Sequence, residues 1–123
     1  MALLIVAMGS VWHADADANA NANTRAGKKV FKKNCAACHS IKKNKNKIGP
    51  SLHGLVGRKA AAVSSYKKYS AAIKGADLVL TAENLTSYLE DPKRFLPGIR
   101  MNFPGIKDAD ALQNLIGYLA TKK

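Results

Sequence analysis

Both cysteines of the chain fall within five residues, Cys35-Ala36-Ala37-Cys38-His39. Two thiols on one helical turn can each form a thioether to one edge of a porphyrin, and the histidine that follows is then placed to bind the iron. That spacing is the one used for covalent haem attachment. It constrains folding because the chain must close around a flat, largely apolar disc. Other uses of a Cys-x-x-Cys pair ask for more than this sequence holds. Zinc needs a second pair of ligands, and no further cysteine exists. A dithiol redox site lies beside a strand–helix–strand unit, for which there is no pattern here, and has no use for His39. Cysteines so close in sequence cannot staple distant parts of a fold.

At 123 residues the chain is one domain in length. A domain of this size hides only about two-thirds of its unfolded surface, so an enclosed porphyrin adds apolar area the chain lacks. Gly27, Phe31, Cys35 and Cys38 recur at helical spacing and predict a helix from Arg25 to about Ser40, with Lys28, Lys29, Lys32 and Lys33 on its solvated side. Residues 41–59, with Gly49-Pro50, Gly54 and Gly57, read as loop. A short helix is expected from Tyr69 to Lys74, stopped by Gly75. Thr81 caps a helix to about Glu90, and Asp91-Pro92 ends it or starts a new turn. Pro97-Gly98 and Pro104-Gly105 bracket an irregular segment. Asp108 caps a last helix to about Ala120, with Leu112, Leu115, Ile116 and Leu119 on its buried face. With no strand pattern and no internal repeat, the expected class is all-α.

The N-terminal residues differ in character. An apolar stretch from Leu3 to Val11 leads into Ala14, Ala16, Ala18, Ala20 and Ala22, which alternate with Asp or Asn. This reads as an export signal with A-x-A-like cleavage sites, too short for a membrane span. Residues 1–22 are therefore expected to be signal peptide and lead-in, the Asn/Ala-rich residues 15–24 to be flexible, and residues 24–123 to form the haem domain. The expected location is the bacterial periplasm. Cleavage near Ala14 or Ala16 removes Met1, Met8, Trp12 and His13.

Twenty Lys and Arg residues against eight acids give a formal charge of +12, which bears on partners rather than fold. The basic residues are spread from Arg25 to Lys123, without a helix-turn-helix or stacking aromatics, so nucleic acid is not an expected partner.

His39 is the expected proximal ligand, and its second ring nitrogen needs an acceptor. A carbonyl of the Gly49-Pro50 turn is the candidate. For the opposite axial position the candidates are His53 and Met101. Met101 lies in an apolar loop punctuated by turns, Leu96-Pro97-Gly98-Ile99-Arg100-Met101-Asn102-Phe103-Pro104-Gly105, which can project a side chain inward. His53 follows His39 closely and reads as a hydrogen-bonded loop histidine. Thioether ligation favours ferrous iron and raises the reduction potential.

With these residues assembled, the chain resembles the class I cytochromes c, and among them the small periplasmic carriers similar to mitochondrial cytochrome c. The likeness runs over residues 25–121. It rests on Cys35-Ala36-Ala37-Cys38-His39, on the loop from Ile48 through Pro50 to Arg58 and Lys59, and on Asp91-Pro92-Lys93-Arg94-Phe95-Leu96-Pro97-Gly98-Ile99-Arg100-Met101. The resemblance implies a class I fold, in which N- and C-terminal helices cross while shorter helices and loops wrap one haem c. It implies that Gly27 and Phe31 meet Leu115 and Tyr118, and that Pro50 supplies the carbonyl for His39. It further implies Arg58 and Tyr69 near a propionate, Tyr88 beside the methionine, and Phe103 shielding the haem edge. Three positions depart from the family pattern. Leu80 stands where a tryptophan is usual, Ile99 for a threonine and Ile73 for an asparagine, so a drier haem rim is expected.

The function so implied is outer-sphere electron transfer by a monomeric carrier with His39 and Met101 on the iron, not enzyme catalysis. A peroxidase-like enzyme would need an open iron site and a distal acid–base residue, and Met101 stands in the blocking place. Lys32, Lys33, Lys42, Lys43, Lys93, Arg94 and Arg100 flank the haem motif or the Met101 loop. They are expected to face acidic docking surfaces of redox proteins: a cytochrome bc complex or dehydrogenase on one side, a terminal oxidase, reductase or reaction centre on the other.

Overall fold

Asn23 caps the first helix, its side-chain oxygen accepting from the Ala26 amide at 3.0 Å. The computed structural model describes residues 22–123, and the export-signal reading lies outside them except at Ala22. Five helices follow in order: α1 (Thr24–Asn34), α2 (Ala71–Lys74), α3 (Ala82–Glu90), α4 (Pro92–Phe95) and α5 (Ala109–Ala120). Among the described residues, β-pairing is limited to one isolated bridge between Lys59 and Val79. No helix there is long and apolar enough to cross a membrane.

Three boundaries differ from expectation, the simplest being α2, which begins at Ala71 behind its Ser70 cap and not at Tyr69. Asn23 and Thr24, read as the end of a lead-in, are the cap and first residue of α1. At its other end α1 stops at Asn34, short of Ser40. Cys35 leaves helical geometry, and the Cys38 and His39 amides then close one further turn on its carbonyl at 3.1 and 2.9 Å. Periodicity over so few residues cannot tell a helix from a turn of the same span. The remaining caps act as their chemistry dictates. Ser70, Thr81 and Asp108 accept from the amides of Ile73, Asn84 and Ala111. Asp91 ends α3 in non-helical backbone and caps α4, with Pro92 at the first helical position.

α1 crosses α5 at Gly27, where a Cβ would overlap the Asn114 carbonyl and stand 2.8 Å from Tyr118 Cβ. The absent side chain is what lets the two backbones meet. Beside it, the Asn23 amide donates to Asn114 Oδ1 at 3.0 Å, and the Phe31 and Tyr118 rings pack with centroids 5.8 Å apart. Leu85, Leu112, Leu115, Ile116 and Leu119 are buried between α3, α5 and the loops. Full burial of such a side chain contributes roughly 1.5–3 kcal/mol. Leu85, Leu115 and Leu119 also line a cavity, so one apolar layer serves both core and site.

Candidate haem site

A cavity of about 640 Å³ opens between the turn after α1, the 48–70 loops, α3, α5 and the 99–103 loop. That volume lies within the range of cofactor clefts. Cys35, Cys38 and His39 line it, as do Pro50, Arg58, Tyr69, Tyr88, Met101 and Phe103, so every residue expected at the site comes to one place. Leu52, Leu55, Leu80, Leu85, Leu115 and Leu119 add apolar lining. Leu80, Ile73 and Ile99 border the same space. His53 is not among its lining residues; its carbonyl instead accepts from Arg58 Nη1 at 2.9 Å.

The histidine is fixed from one side. His39 Nδ1 lies 2.8 Å from the Pro50 carbonyl, which can only accept. Nδ1 therefore carries the proton and Nε2 keeps its lone pair. Burial pushes the His39 pKa below its usual value, and the Arg58 charge adds to that, while the bond to Pro50 opposes both. The ring is thus a neutral nitrogen donor at pH 7. Gly49 packs against its face: a Cβ there would overlap Cε1 and come within 2.7 Å of Nδ1 and 2.8 Å of Nε2. The Gly49 amide in turn donates to the Cys38 carbonyl at 2.8 Å. Ser51, buried, ties the loop together by donating through Oγ to the Lys42 carbonyl at 2.6 Å.

The thiols are equally specific. Burial first, then the neighbouring Cys38, pushes the Cys35 thiol up to about 11. It is a neutral group in an apolar wall rather than a reactive thiolate. Among the described residues, no cluster of three His, Cys, Asp or Glu side chains gathers to hold a metal ion by itself.

Arg58 supplies the remaining test of what the cavity holds. Its Nε is buried and has no hydrogen-bond partner in the protein. Burial lowers its pKa, and Tyr69 nearby acts the other way. A half-buried guanidinium whose Nε is buried and unpaired calls for an anionic acceptor, since a buried donor left open is costly. The Tyr69 hydroxyl meanwhile accepts from the Val63 amide at 3.2 Å. An apolar slot with two thiols, a bare imidazole nitrogen and one unmatched guanidinium donor fits a haem, which is apolar in its ring, carries two carboxylates and has vinyl groups for thioether bonds.

The basic residues expected to face docking partners, Lys32, Lys33, Lys42, Lys43, Lys93, Arg94 and Arg100, are all exposed. Arg100 also lines the cavity, together with Lys68 and Tyr66, which the sequence reading did not single out. Tyr66 stands three residues before Tyr69, a spacing that was the available signal. Gly49, immediately before Pro50, was another.

Known proteins resemble this chain in sequence and fold. Residues 24–123 match the sequence model of the family described as cytochrome c. The chain is 46% identical over 94 residues to cytochrome c type-1 of Ascaris suum, covering 76% of this chain and 83% of that protein. It is 44% identical over 96 residues to cytochrome c of Gibberella zeae, covering 77% and 90%. Among solved structures it is similar to cytochrome cH from Methylobacterium extorquens, with a TM-score of 0.76 and 40% identity over 81% of this chain and 99% of that one. These relationships, with the all-α fold, place the chain in the cytochrome c family, as an electron carrier with a covalently bound c-type haem that works with redox partner proteins.

Proposed function

We propose that this chain is a one-electron shuttle with His39 and Met101 as the axial ligands of its haem. The observation that carries the proposal is that one cavity collects Cys35, Cys38, a neutral His39 with a free Nε2, and Met101. When bound, the haem supplies a ferric–ferrous iron couple. Cys35 and Cys38 are the two points of covalent attachment. His39 presents Nε2 while the Pro50 carbonyl holds Nδ1–H and raises the basicity of the ring. Met101 offers a soft thioether that favours the ferrous state. Arg58 pairs with a propionate through the donor it keeps free, and Tyr69 serves beside it. Tyr88 and Phe103 border the Met101 loop and, with the leucines of the lining, exclude water.

With both axial places filled from the protein, no position remains for substrate, so the chain is a carrier and not an enzyme. Lys32, Lys33, Lys42, Lys43, Lys93, Arg94 and Arg100 steer it as a monomer toward acidic surfaces. These belong to a quinol-oxidising cytochrome bc complex or dehydrogenase as donor, and to a terminal oxidase, reductase or reaction centre as acceptor. Residues 1–22 direct export to the periplasm, and residues 24–123 form the working domain. The test is optical and by mass. The mature chain carries the mass of one haem, and its ferric form shows the weak band at the red end of the spectrum that reports iron–sulfur bonding. Met101→Ala abolishes that band. Its absence from the native protein, or its survival in the variant, refutes the ligand assignment.

A further inference from the structure

The segment Ile48-Gly49-Pro50 carries the carbonyl that orients His39, yet burial does not hold its leading residue. Ile48 is 73% exposed. Polar contacts from another loop hold it instead. The Tyr66 hydroxyl donates to the Ile48 carbonyl at 2.6 Å. The Asn46 amide donates to Ser65 Oγ at 2.9 Å, while Asn46 Oδ1 accepts from the Ser51 amide at 3.0 Å. Two consecutive residues, Ser65 and Tyr66, thus clasp the segment on its N-terminal side. Tyr66 is itself braced, its ring meeting Tyr69 edge-on with centroids 4.8 Å apart. Only two peptide units separate the Ile48 carbonyl from the Pro50 carbonyl. Between them Gly49 lies so close to the imidazole that the segment and the ring must move together.

We propose that Tyr66 is a positioning residue for His39. By holding the Ile48 carbonyl it keeps the Pro50 carbonyl on His39 Nδ1–H, and so sets how strongly that bond enriches the other ring nitrogen. The inference rests on His39 being the axial ligand. A well-made Nδ1–H bond makes the histidine a stronger donor, which favours ferric iron. Loosening it shifts the reduction potential upward and exposes the Nδ1 proton to exchange.

Tyr66→Phe in the haem-loaded protein tests this, because phenylalanine keeps the ring on Tyr69 and removes only the donor. Three quantities are read: solvent exchange of the His39 Nδ1–H by proton NMR, the reduction potential, and the denaturant midpoint. Exchange is expected to quicken about five- to tenfold, the factor that loss of one ordinary hydrogen bond implies, with an upward shift in potential. Ser65→Ala, which cuts only the Asn46 arm of the clasp, is expected to act in the same direction and more weakly. Unchanged exchange and potential in both variants overturn the inference even if the midpoint falls, since a merely structural bond would move the midpoint alone. A wild-type protein with no iron-shifted imidazole signal overturns the axial reading and this inference with it. A wild-type signal that neither variant disturbs overturns this inference alone.

Discussion

Replacing Gly27 by alanine adds one methyl group where α1 crosses α5. Two effects oppose each other. Alanine is the better helix former by about 0.8–1.0 kcal/mol. Against that, the new Cβ overlaps the Asn114 carbonyl and lies 2.8 Å from Tyr118 Cβ, where ordinary contact begins near 3.4 Å. Both obstacles are backbone or its first carbon, so no rotamer change relieves them and the helices must separate. Forcing a methylene into a packed core costs about 1–3 kcal/mol, and the upper end applies where nothing yields. Separation also threatens the bond from the Asn23 amide to Asn114 Oδ1, worth about 1 kcal/mol. The net loss is about 2–3 kcal/mol once the helix gain of about 1 kcal/mol is subtracted. For a domain of this size that lowers Tm by about 10–20 °C. Thermal or urea unfolding of the ferric protein, followed by circular dichroism, measures it. Lys28→Ala, on the exposed side of α1, serves as control and is expected to change stability by less than about 0.5 kcal/mol. A Gly27→Ala protein as stable as the wild type would show that the helices do not depend on this close approach.

Three further outcomes are expected. Gly49→Ala is expected to displace the His39 ring, lowering the yield of haem-loaded protein and altering its ferric spectrum; a normal spectrum at normal yield would contradict the packing of Gly49 on the imidazole. Burial holds the Tyr88 phenol above its usual value of 10. Its contribution to stability is complete well below pH 10 and is lost as pH rises through the raised folded-state value, so Tyr88→Phe should lose less stability than the wild type as pH is taken above 10. Equal losses in urea titrations would remove Tyr88 from the alkaline response. Finally, electron exchange with a small anionic iron complex should slow as salt is added, and exchange with a cationic one should quicken, because the charge of +12 steers the first and repels the second. A common salt dependence for both would refute electrostatic steering.

Much of the site was legible because its chemistry is carried by neighbouring residues. Cys35, Cys38 and His39 need only their own spacing. The helix starts at Thr81 and Asp108 need only a side-chain oxygen placed three residues before an amide. Asp91-Pro92 read either as an end or as a start, and the structure uses it as both, because the carboxylate caps α4 while Pro92 supplies no amide of its own. The over-long first helix shows the limit of pattern: the apolar period continues through Cys38, but the backbone leaves helical geometry at Cys35. Lys68 and Tyr66 reach the cavity only because the 61–69 loop returns to it, a matter on which local spacing is silent.

The sequence alone determined that a porphyrin would be tethered at one turn, because covalent attachment depends on contiguous atoms and few residues. It likewise settled an all-α chain with a strongly positive surface, since period and charge are local or additive. Tertiary structure decided that Gly49 wedges against the imidazole, that Arg58 keeps a donor open, and that Tyr66 braces the loop from elsewhere. Each of these requires distant segments within about 3 Å of each other, the range over which hydrogen bonds and steric contacts act.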